Sequence, residues 1–315
     1  MARKLGIFPT MLAAYTKDGA LDLGGLESLV EWYWKKGCDG IFASCLSSEM
    51  FHLSLDERVT FVETVMRKTR ALAAQDKSRP PMHVVASGHV SDALEDQVKE
   101  ICAIAETGVE AVILITNRMD IANTGEDAWI SDLHRLLARL PAGLRLGLYE
   151  CPTPYKRLLT PRMLKAVRDT GRFTFIKDTC CDPDMLRERL AILEGSELGL
   201  YNANAQTLLS SLRAGADGYS SVMANFQPEI YKWMFDHQND EGSDVVQAFL
   251  STAAFTEVLA YPVTAKYYLR KYEGVAIEPY SRVIDHKLVT PYQKECLAHM
   301  KKLADFIKEC FGIMP

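Results

Sequence analysis

Residues 171–183 read GRFTFIKDTCCDP, and this short stretch contains one complete unit of the predicted fold. The apolar run from Phe173 to Ile176 is typical of a buried β-strand. The closing Asp-Pro pair places a capping side chain before a first-turn proline, which predicts the start of a helix. Lys177 follows the apolar run without a break, although a lysine is almost never fully buried unless it is paired. The stretch therefore predicts a strand-to-helix unit with an amine at the carboxyl end of the strand.

Seven further apolar runs follow the same pattern, and helical patterns separate them. They begin at Leu5, Gly40, His83, Ala111, Leu144, Leu198 and Gly218. The runs are rich in Val, Ile, Phe and Tyr and do not alternate strictly with polar residues, which suits parallel strands covered on both faces. Three of the intervening helices end in similar phrases, GCDG, GVEA and GADG, whose glycines suit a left-handed helix exit.

Eight such units predict an α/β fold, a (β/α)8 TIM barrel with additional C-terminal helices. We place the barrel in residues 1–227, and the last barrel helix with the helical extension in residues 228–315. An open doubly wound sheet is the alternative. That fold usually has a glycine-rich phosphate turn after its first strand, whereas PTMLAAYTKDG follows the first strand here.

The composition excludes several classes of protein. The chain has 315 residues, of which 48% are hydrophobic and 24% charged, as in ordinary globular domains. A net charge of −5 provides no basic surface for nucleic acid. No apolar run approaches the roughly 18 residues that a transmembrane helix needs, so we expect no membrane partner. MARKLGIFPT lacks the pattern of a signal peptide, which predicts a cytoplasmic protein.

Cysteine and histidine spacing predicts no metal site. The eight cysteines, at 38, 45, 102, 151, 180, 181, 296 and 310, are scattered and form no CxxC pair. In a cytoplasmic chain they are expected to be reduced and to serve packing, including the adjacent Cys180 and Cys181. A metal-dependent barrel aldolase would need carboxylate and histidine ligands at the strand ends, and the sequence contains no such set.

Candidate functional residues fall at the carboxyl ends of three predicted strands, where TIM barrels carry their active sites. Lys177 ends strand six, Tyr149 ends strand five, and Ser47 and Ser48 follow strand two. Burial in a barrel lowers the pKa of a lysine, and the neutral amine can attack a ketone to form a Schiff base. A nearby tyrosine can move protons during that reaction. Backbone N–H groups near the two serines could hold a carboxylate.

At these residues the chain resembles the dihydrodipicolinate synthase and N-acetylneuraminate lyase family. Residues 15–58, from YTKDG to LSLDER, resemble the family's opening, including its GTTGE-like loop. LGLYECP (146–152) resembles the YNxP segment, and FTFIKDT (173–179) the Schiff-base strand. AGADGYSSVMANFQPEIY (214–231) and YPVTAKYYLRKYEGV (261–275) resemble the region around strand eight and the C-terminal helices. The order and spacing of these segments together are highly specific.

The resemblance implies a class I aldolase-type lyase that acts on pyruvate or another 2-oxo acid, and in a condensation also on an aldehyde. Lys177 then corresponds to the Schiff-base lysine and Tyr149 to the catalytic tyrosine. Ser47 corresponds to the carboxylate-binding threonine, with help from the backbone N–H of Ser48. Ser220, in the strand-eight segment, is a further candidate for substrate binding. The resemblance also implies no metal, no cofactor other than the covalent lysine, and a homodimer or homotetramer.

Several departures from the family pattern leave the substrate open. Leu46 occupies the position of the relay threonine, and TNRMD (116–120) lacks the tyrosine that a partner subunit would lend. Pro154 stands where the synthase has an arginine for the carboxylate of aspartate semialdehyde, although Lys156 or Arg157 could substitute for it. We expect aldol-type cleavage or condensation, or a dehydration. A true 4-hydroxy-tetrahydrodipicolinate synthase and a non-catalytic 2-oxo acid-binding barrel are the alternatives.

Glu150 replaces the family's usual asparagine beside the tyrosine. Its carboxylate either faces outward or provides a polar contact for a hydroxylated substrate, and the sequence leaves both alternatives open.

Overall fold

The computed structural model describes residues 6–314, which form eight strands and eleven α-helices. The strands are β1 (Gly6–Ile7), β2 (Gly40–Ala43), β3 (His83–Ser87), β4 (Ala111–Ile115), β5 (Leu146–Tyr149), β6 (Phe173–Asp178), β7 (Gly199–Asn202) and β8 (Gly218–Tyr219). Each predicted apolar run overlaps one of them. Leu5, the predicted start of the first run, lies outside the described residues, as do residues 1 and 315 at the outer ends of the two predicted segments.

The strands form one parallel sheet that closes into a barrel. Their order is β1-β8-β7-β6-β5-β4-β3-β2, and Gly6 of β1 lies opposite Gly218 of β8. Backbone hydrogen bonds from Met11 N to Phe42 O and from Phe42 N to Pro9 O, both 3.0 Å, join the chain after β1 to β2. The prediction of a (β/α)8 barrel is therefore confirmed. The carboxyl ends of all eight strands meet at one mouth.

An α-helix follows each strand, and three more helices follow the eighth. The helices are α1 (Leu23–Lys35), α2 (Leu55–Gln75), α3 (Leu94–Glu106), α4 (Glu126–Leu137), α5 (Pro161–Asp169), α6 (Pro183–Leu193), α7 (Leu208–Arg213), α8 (Pro228–Asp236), α9 (Ser243–Ala253), α10 (Val263–Tyr272) and α11 (Pro291–Phe311). The last three are the predicted C-terminal helices. None of the helices in residues 6–314 combines the length and the apolar character needed to cross a membrane.

The helices begin and end where local chemistry favours it. Ser54 Oγ accepts a hydrogen bond from Glu57 N (3.2 Å), and the Glu57 carboxylate accepts one from Ser54 N (2.8 Å), which forms a capping box for α2. Asp182 caps α6 ahead of its first-turn proline. Glycines end three barrel helices in the left-handed conformation that other residues rarely adopt. They are Gly37, Gly108 and Gly215, with φ of 76°, 83° and 98°.

Alternation along the strands separates an inner set of side chains from an outer set. The inner set fills the barrel and includes Phe8, Phe42, Ile113, Tyr149, Phe175 and Tyr201. The Phe175 and Tyr201 rings stack with their centroids 4.1 Å apart, a contact worth about 1 kcal/mol beyond the area it buries. Because Phe175 faces inward, Lys177, two residues further along β6, faces the same side.

Ion pairs attach the C-terminal extension to the loop after β2. Lys266 of α10 is fully buried, and its Nζ lies 3.1 Å from the Glu49 carboxylate. Lys266 also donates to Tyr280 O at 2.6 Å, and the backbone N–H of Arg282 donates to Glu49 at 2.7 Å. The Arg282 guanidinium in turn bonds Glu57 at the start of α2. The extension therefore supports the loop that carries the two candidate serines.

Candidate active site

Lys177 and Tyr149 are neighbours at the mouth of the barrel. They are register partners at the ends of β6 and β5. Lys177 is only 5% exposed, and its Nζ lies 4.2 Å from the centroid of the Tyr149 ring. The structure thus brings together the amine and the phenol that the sequence singles out.

The surroundings of Lys177 disfavour its charge. Burial lowers the pKa of Lys177 from 10.5 to about 8, and the nearby Cys45 and Cys151 thiols oppose that shift only in part. No carboxylate of residues 6–314 forms an ion pair with the Lys177 ammonium. With a pKa of about 8, roughly one tenth of the amine is neutral at pH 7. Because the neutral amine is the nucleophile, this environment activates Lys177 for attack on a carbonyl carbon.

Tyr149 keeps its proton at neutral pH. Its buried ring meets Phe42 edge-on, with the centroids 5.7 Å apart. Burial raises the pKa of Tyr149 well above its ordinary value, and the neighbouring Cys151 and Cys45 thiols add to the rise. The ring lies beside Lys177 and its hydroxyl stays protonated, so Tyr149 can pass a proton to a group formed on that amine.

Ser47 is buried in a 3-10 turn directly after β2. Its Oγ donates a hydrogen bond to Thr10 Oγ1 at 3.0 Å. Thr10 follows β1, so this bond joins the mouth ends of the first two strands. Two adjacent hydroxyls give this part of the mouth the donors that a carboxylate needs.

Ser48 is occupied within the same turn. Its Oγ donates to Met11 O at 2.6 Å and accepts from Cys45 N at 3.1 Å. Its backbone N–H donates to Cys45 O at 3.0 Å. The carboxylate contact that the resemblance implies for this N–H would have to replace a bond already made. Ser48 thus holds the turn that positions Ser47, and its contact with substrate stays a prediction.

Ser220 directly follows β8 and is fully buried. Its backbone N–H donates to Asn202 O at 2.9 Å, but its Oγ has no hydrogen-bond partner among residues 6–314. Strand alternation places it on the same side as Gly218, two residues before it. A buried hydroxyl without a partner costs free energy, and an oxygen of a bound substrate would satisfy it.

Glu150 faces away from the barrel interior. It follows Tyr149 directly, so alternation points it toward the helices. Its carboxylate bonds the Arg189 guanidinium of α6 at 2.7 Å, Leu159 N at 2.7 Å and Thr179 N at 2.9 Å. Arg189 also pairs with Asp178. Of the two alternatives for Glu150, the structure supports the outward-facing one, and the carboxylate holds the loops after β5 and β6 together.

Arg157 cannot replace the missing arginine clamp without breaking its own contacts. It is buried, and its Nη1 bonds the Asp120 carboxylate at 2.8 Å and Asn123 Oδ1 at 2.6 Å. Lys156 is exposed, and its positive charge contributes to the lowered pKa of Lys177, so it lies near the mouth.

Sequence reasoning missed two hydroxyls at the mouth. Thr10 bonds Ser47, and the alternation that points Phe8 inward also marks Thr10. Tyr261, in the loop before α10, accepts a hydrogen bond from Asn225 and lies close to the Ser47 and Thr10 hydroxyls. Tyr261 lies far from the other residues along the chain, and no local pattern identifies it.

The cysteines and acidic residues form no metal site in the part of the chain that the structure describes. Within residues 6–314, no three His, Cys, Asp or Glu side chains are arranged to hold a metal ion. All eight cysteines are free. Cys180 is half-buried and packs on the core, whereas Cys181 is exposed. Packing therefore accounts for Cys180 but not for Cys181.

A parallel barrel with a desolvated lysine beside a phenol suits the class I aldolase-type lyases, in which a lysine amine condenses with a ketone. The family model described as "Dihydrodipicolinate synthetase family" matches residues 3–253, and the chain belongs to this family. The family and the class of enzyme that the sequence predicts are thereby confirmed.

Curated relatives named 4-hydroxy-tetrahydrodipicolinate synthase are similar at low identity. The protein from Shewanella denitrificans is 24% identical over 238 residues, which cover 73% of this chain and 74% of that protein. Sialic acid aldolase from Ruminococcus gnavus superposes with a TM-score of 0.83 at 18% identity, covering 98% of this chain and 99% of its own. The chloride-inhibited dihydrodipicolinate synthase from Acinetobacter baumannii, complexed with pyruvate, superposes with a TM-score of 0.80 at 19% identity. The superposition covers 99% of this chain and 100% of the synthase chain. These structures share the fold of this chain.

Proposed function

We propose that Lys177 forms a Schiff base with pyruvate or another 2-oxo acid. The observation that carries this proposal is a buried, unpaired amine with a pKa of about 8, whose Nζ lies 4.2 Å from the Tyr149 ring centroid. The neutral amine attacks the keto carbon to form a carbinolamine, and loss of water leaves an iminium. The iminium withdraws electrons from the adjacent carbon, which supports aldol-type cleavage, aldol condensation or dehydration.

The other residues of the mouth supply proton transfer and binding. Tyr149 protonates the departing carbinolamine oxygen and then exchanges a proton with the substrate. The hydroxyls of Ser47 and Ser220 hydrogen-bond oxygens of the 2-oxo acid. The covalent lysine makes a separate cofactor unnecessary. We further propose a cytoplasmic homodimer or homotetramer, in line with the family resemblance.

The second substrate is expected to differ from that of the synthase. The contacts of Arg157 with Asp120 and Asn123 argue against a carboxylate clamp at that position, and Pro154 is exposed. A site that lacks the partner for a buried carboxylate discriminates strongly against it. We therefore favour an aldehyde or sugar-derived 2-oxo acid other than the synthase substrates.

One observation favours the alternative of a true 4-hydroxy-tetrahydrodipicolinate synthase, since the curated relatives carry that name. Turnover of pyruvate with aspartate semialdehyde would establish it. The other alternative, a non-catalytic 2-oxo acid-binding barrel, is favoured by Leu46, which packs against the inner apolar cluster where a relay hydroxyl would stand. Turnover of any aldehyde or 2-oxo acid would exclude it.

Borohydride trapping tests the Schiff base directly. Reduction of the iminium formed with pyruvate should add a stable mass to the peptide that contains Lys177. Lys177→Ala should abolish the adduct while the circular dichroism spectrum stays the same. Lys156→Ala is the matched control, because it removes an exposed lysine near the same mouth and should leave the adduct in place. A wild-type protein that stays unmodified with every 2-oxo acid tested contradicts the proposal.

A further inference from the structure

Tyr261 brings a second phenol to the mouth from outside the barrel. It lies between the 3-10 segment Ala254–Val258 and α10 and is half-buried. Its hydroxyl oxygen accepts a hydrogen bond from Asn225 Nδ2 at 3.1 Å and lies close to the Ser47 and Thr10 hydroxyls. Burial raises the pKa of Tyr261 above its ordinary value, so the hydroxyl remains a donor at neutral pH.

Asn225 determines which way the Tyr261 hydroxyl donates. Asn225 Oδ1 accepts from the Tyr33 hydroxyl at 2.5 Å, and Nδ2 donates to Thr10 O at 2.8 Å, so the amide has one orientation. The other N–H of Nδ2 is directed at the Tyr261 oxygen. The Tyr261 proton is thus left for an acceptor on the side where Ser47 lies.

The same cluster lies close to the reacting groups. Cys45 interacts electrostatically both with Tyr261 and with the Lys177 amine. Tyr261 also contributes to the raised pKa of Tyr149. Tyr261 is therefore near both the predicted proton donor, Tyr149, and the predicted carboxylate site at Ser47.

We propose that Tyr261 is a substrate-binding residue whose hydroxyl donates to the carboxylate of the bound 2-oxo acid, while the Ser47 hydroxyl turns from Thr10 Oγ1 to the same carboxylate. The inference rests on the proposed Schiff base at Lys177. Two hydroxyls and no cation then bind the carboxylate. Thr10 and Asn225 act as positioning residues for the two donors.

A pair of ketones that differ in the carboxylate tests this role. Pyruvate carries the carboxylate, and hydroxyacetone is a neutral ketone of the same carbon skeleton with one oxygen fewer. Tyr261→Phe removes a single oxygen and should raise the pyruvate concentration for half-maximal borohydride trapping about tenfold, because a hydrogen bond to a charged group is lost. The concentration for hydroxyacetone should stay the same. Tyr267→Phe, on the outer part of α10, is the matched control and should change neither value.

The outcomes separate this inference from the proposed function. The carboxylate role of Tyr261 is overturned if the pyruvate concentration for half-maximal trapping is unchanged in Tyr261→Phe. It is also overturned if the half-maximal concentrations of both ketones rise equally. Tyr261→His keeps a polar donor and should restore part of the preference for pyruvate; it also serves as the second variant where Tyr261→Phe does not fold. A wild-type protein that is trapped by neither ketone overturns the Schiff base itself, whereas trapping of the wild type with no selective loss in the variant overturns only the role of Tyr261.

Discussion

Lys177→Met should make the protein more stable at pH 7 while abolishing the adduct. The amine is 5% exposed and its pKa is about 8 instead of 10.5. One pKa unit corresponds to about 1.4 kcal/mol, so the buried ammonium costs roughly 3 kcal/mol at pH 7. Methionine is similarly long, flexible and uncharged, so the variant should recover most of that free energy of unfolding. The wild type would then sacrifice stability for a reactive amine.

The stability gained by Lys177→Met should decrease as the pH rises. Below pH 8 the Lys177 amine is protonated in both the folded and the unfolded protein, so the full cost is present. Between about pH 8 and pH 10.5 the folded protein has released the proton and the unfolded chain still holds it, so the stability of the wild type rises with pH. Above pH 10.5 the amine is neutral in both states, and the advantage of methionine disappears.

Urea unfolding of both proteins at about pH 7, 9 and 10.5 measures this difference in the free energy of unfolding. Groups other than Lys177 titrate alike in the two proteins, so their effects cancel in the comparison. Lys266→Met is the control, because Lys266 is equally buried but lies 3.1 Å from Glu49. Its removal leaves a buried carboxylate unpaired and should cost about 3–5 kcal/mol. A Lys177→Met variant that is no more stable than the wild type at pH 7, or whose added stability is the same at pH 10.5, contradicts a desolvated amine at this position.

Three further outcomes are expected. The rate of adduct formation at Lys177 should rise about tenfold per pH unit up to about pH 8 and then level off in a borohydride-quench series; a rise that continues toward pH 10 contradicts the lowered pKa. Glu150→Ala should lower the free energy of urea unfolding by about 3–5 kcal/mol, because it leaves the buried Arg189 guanidinium under-paired, and an unchanged value argues against that network. Gly218→Ala should lower the melting temperature sharply or prevent folding, because its Cβ would lie 1.9 Å from Gly6 O; a variant that melts like the wild type contradicts the close packing of β1 on β8.

Much of the fold and part of the site follow from patterns that are local in the chain. Strand runs, the Ser54 capping box and the glycine helix exits depend on neighbouring residues, so the sequence predicts them correctly. The period of two along β6 and β5 also places Lys177 and Tyr149 at one mouth, since parallel strands of a barrel end on the same side.

The sequence by itself therefore determined the barrel, the family and the strand ends at which chemistry is expected. Only the tertiary structure decided the partners of the polar groups: Arg189 for Glu150, Asp120 for Arg157, and Thr10 for Ser47. These partners come from segments distant in the chain, and packing of loops and helices selects them without leaving a periodic signal. The low pKa of Lys177 has the same origin, because desolvation depends on everything that surrounds the amine in space.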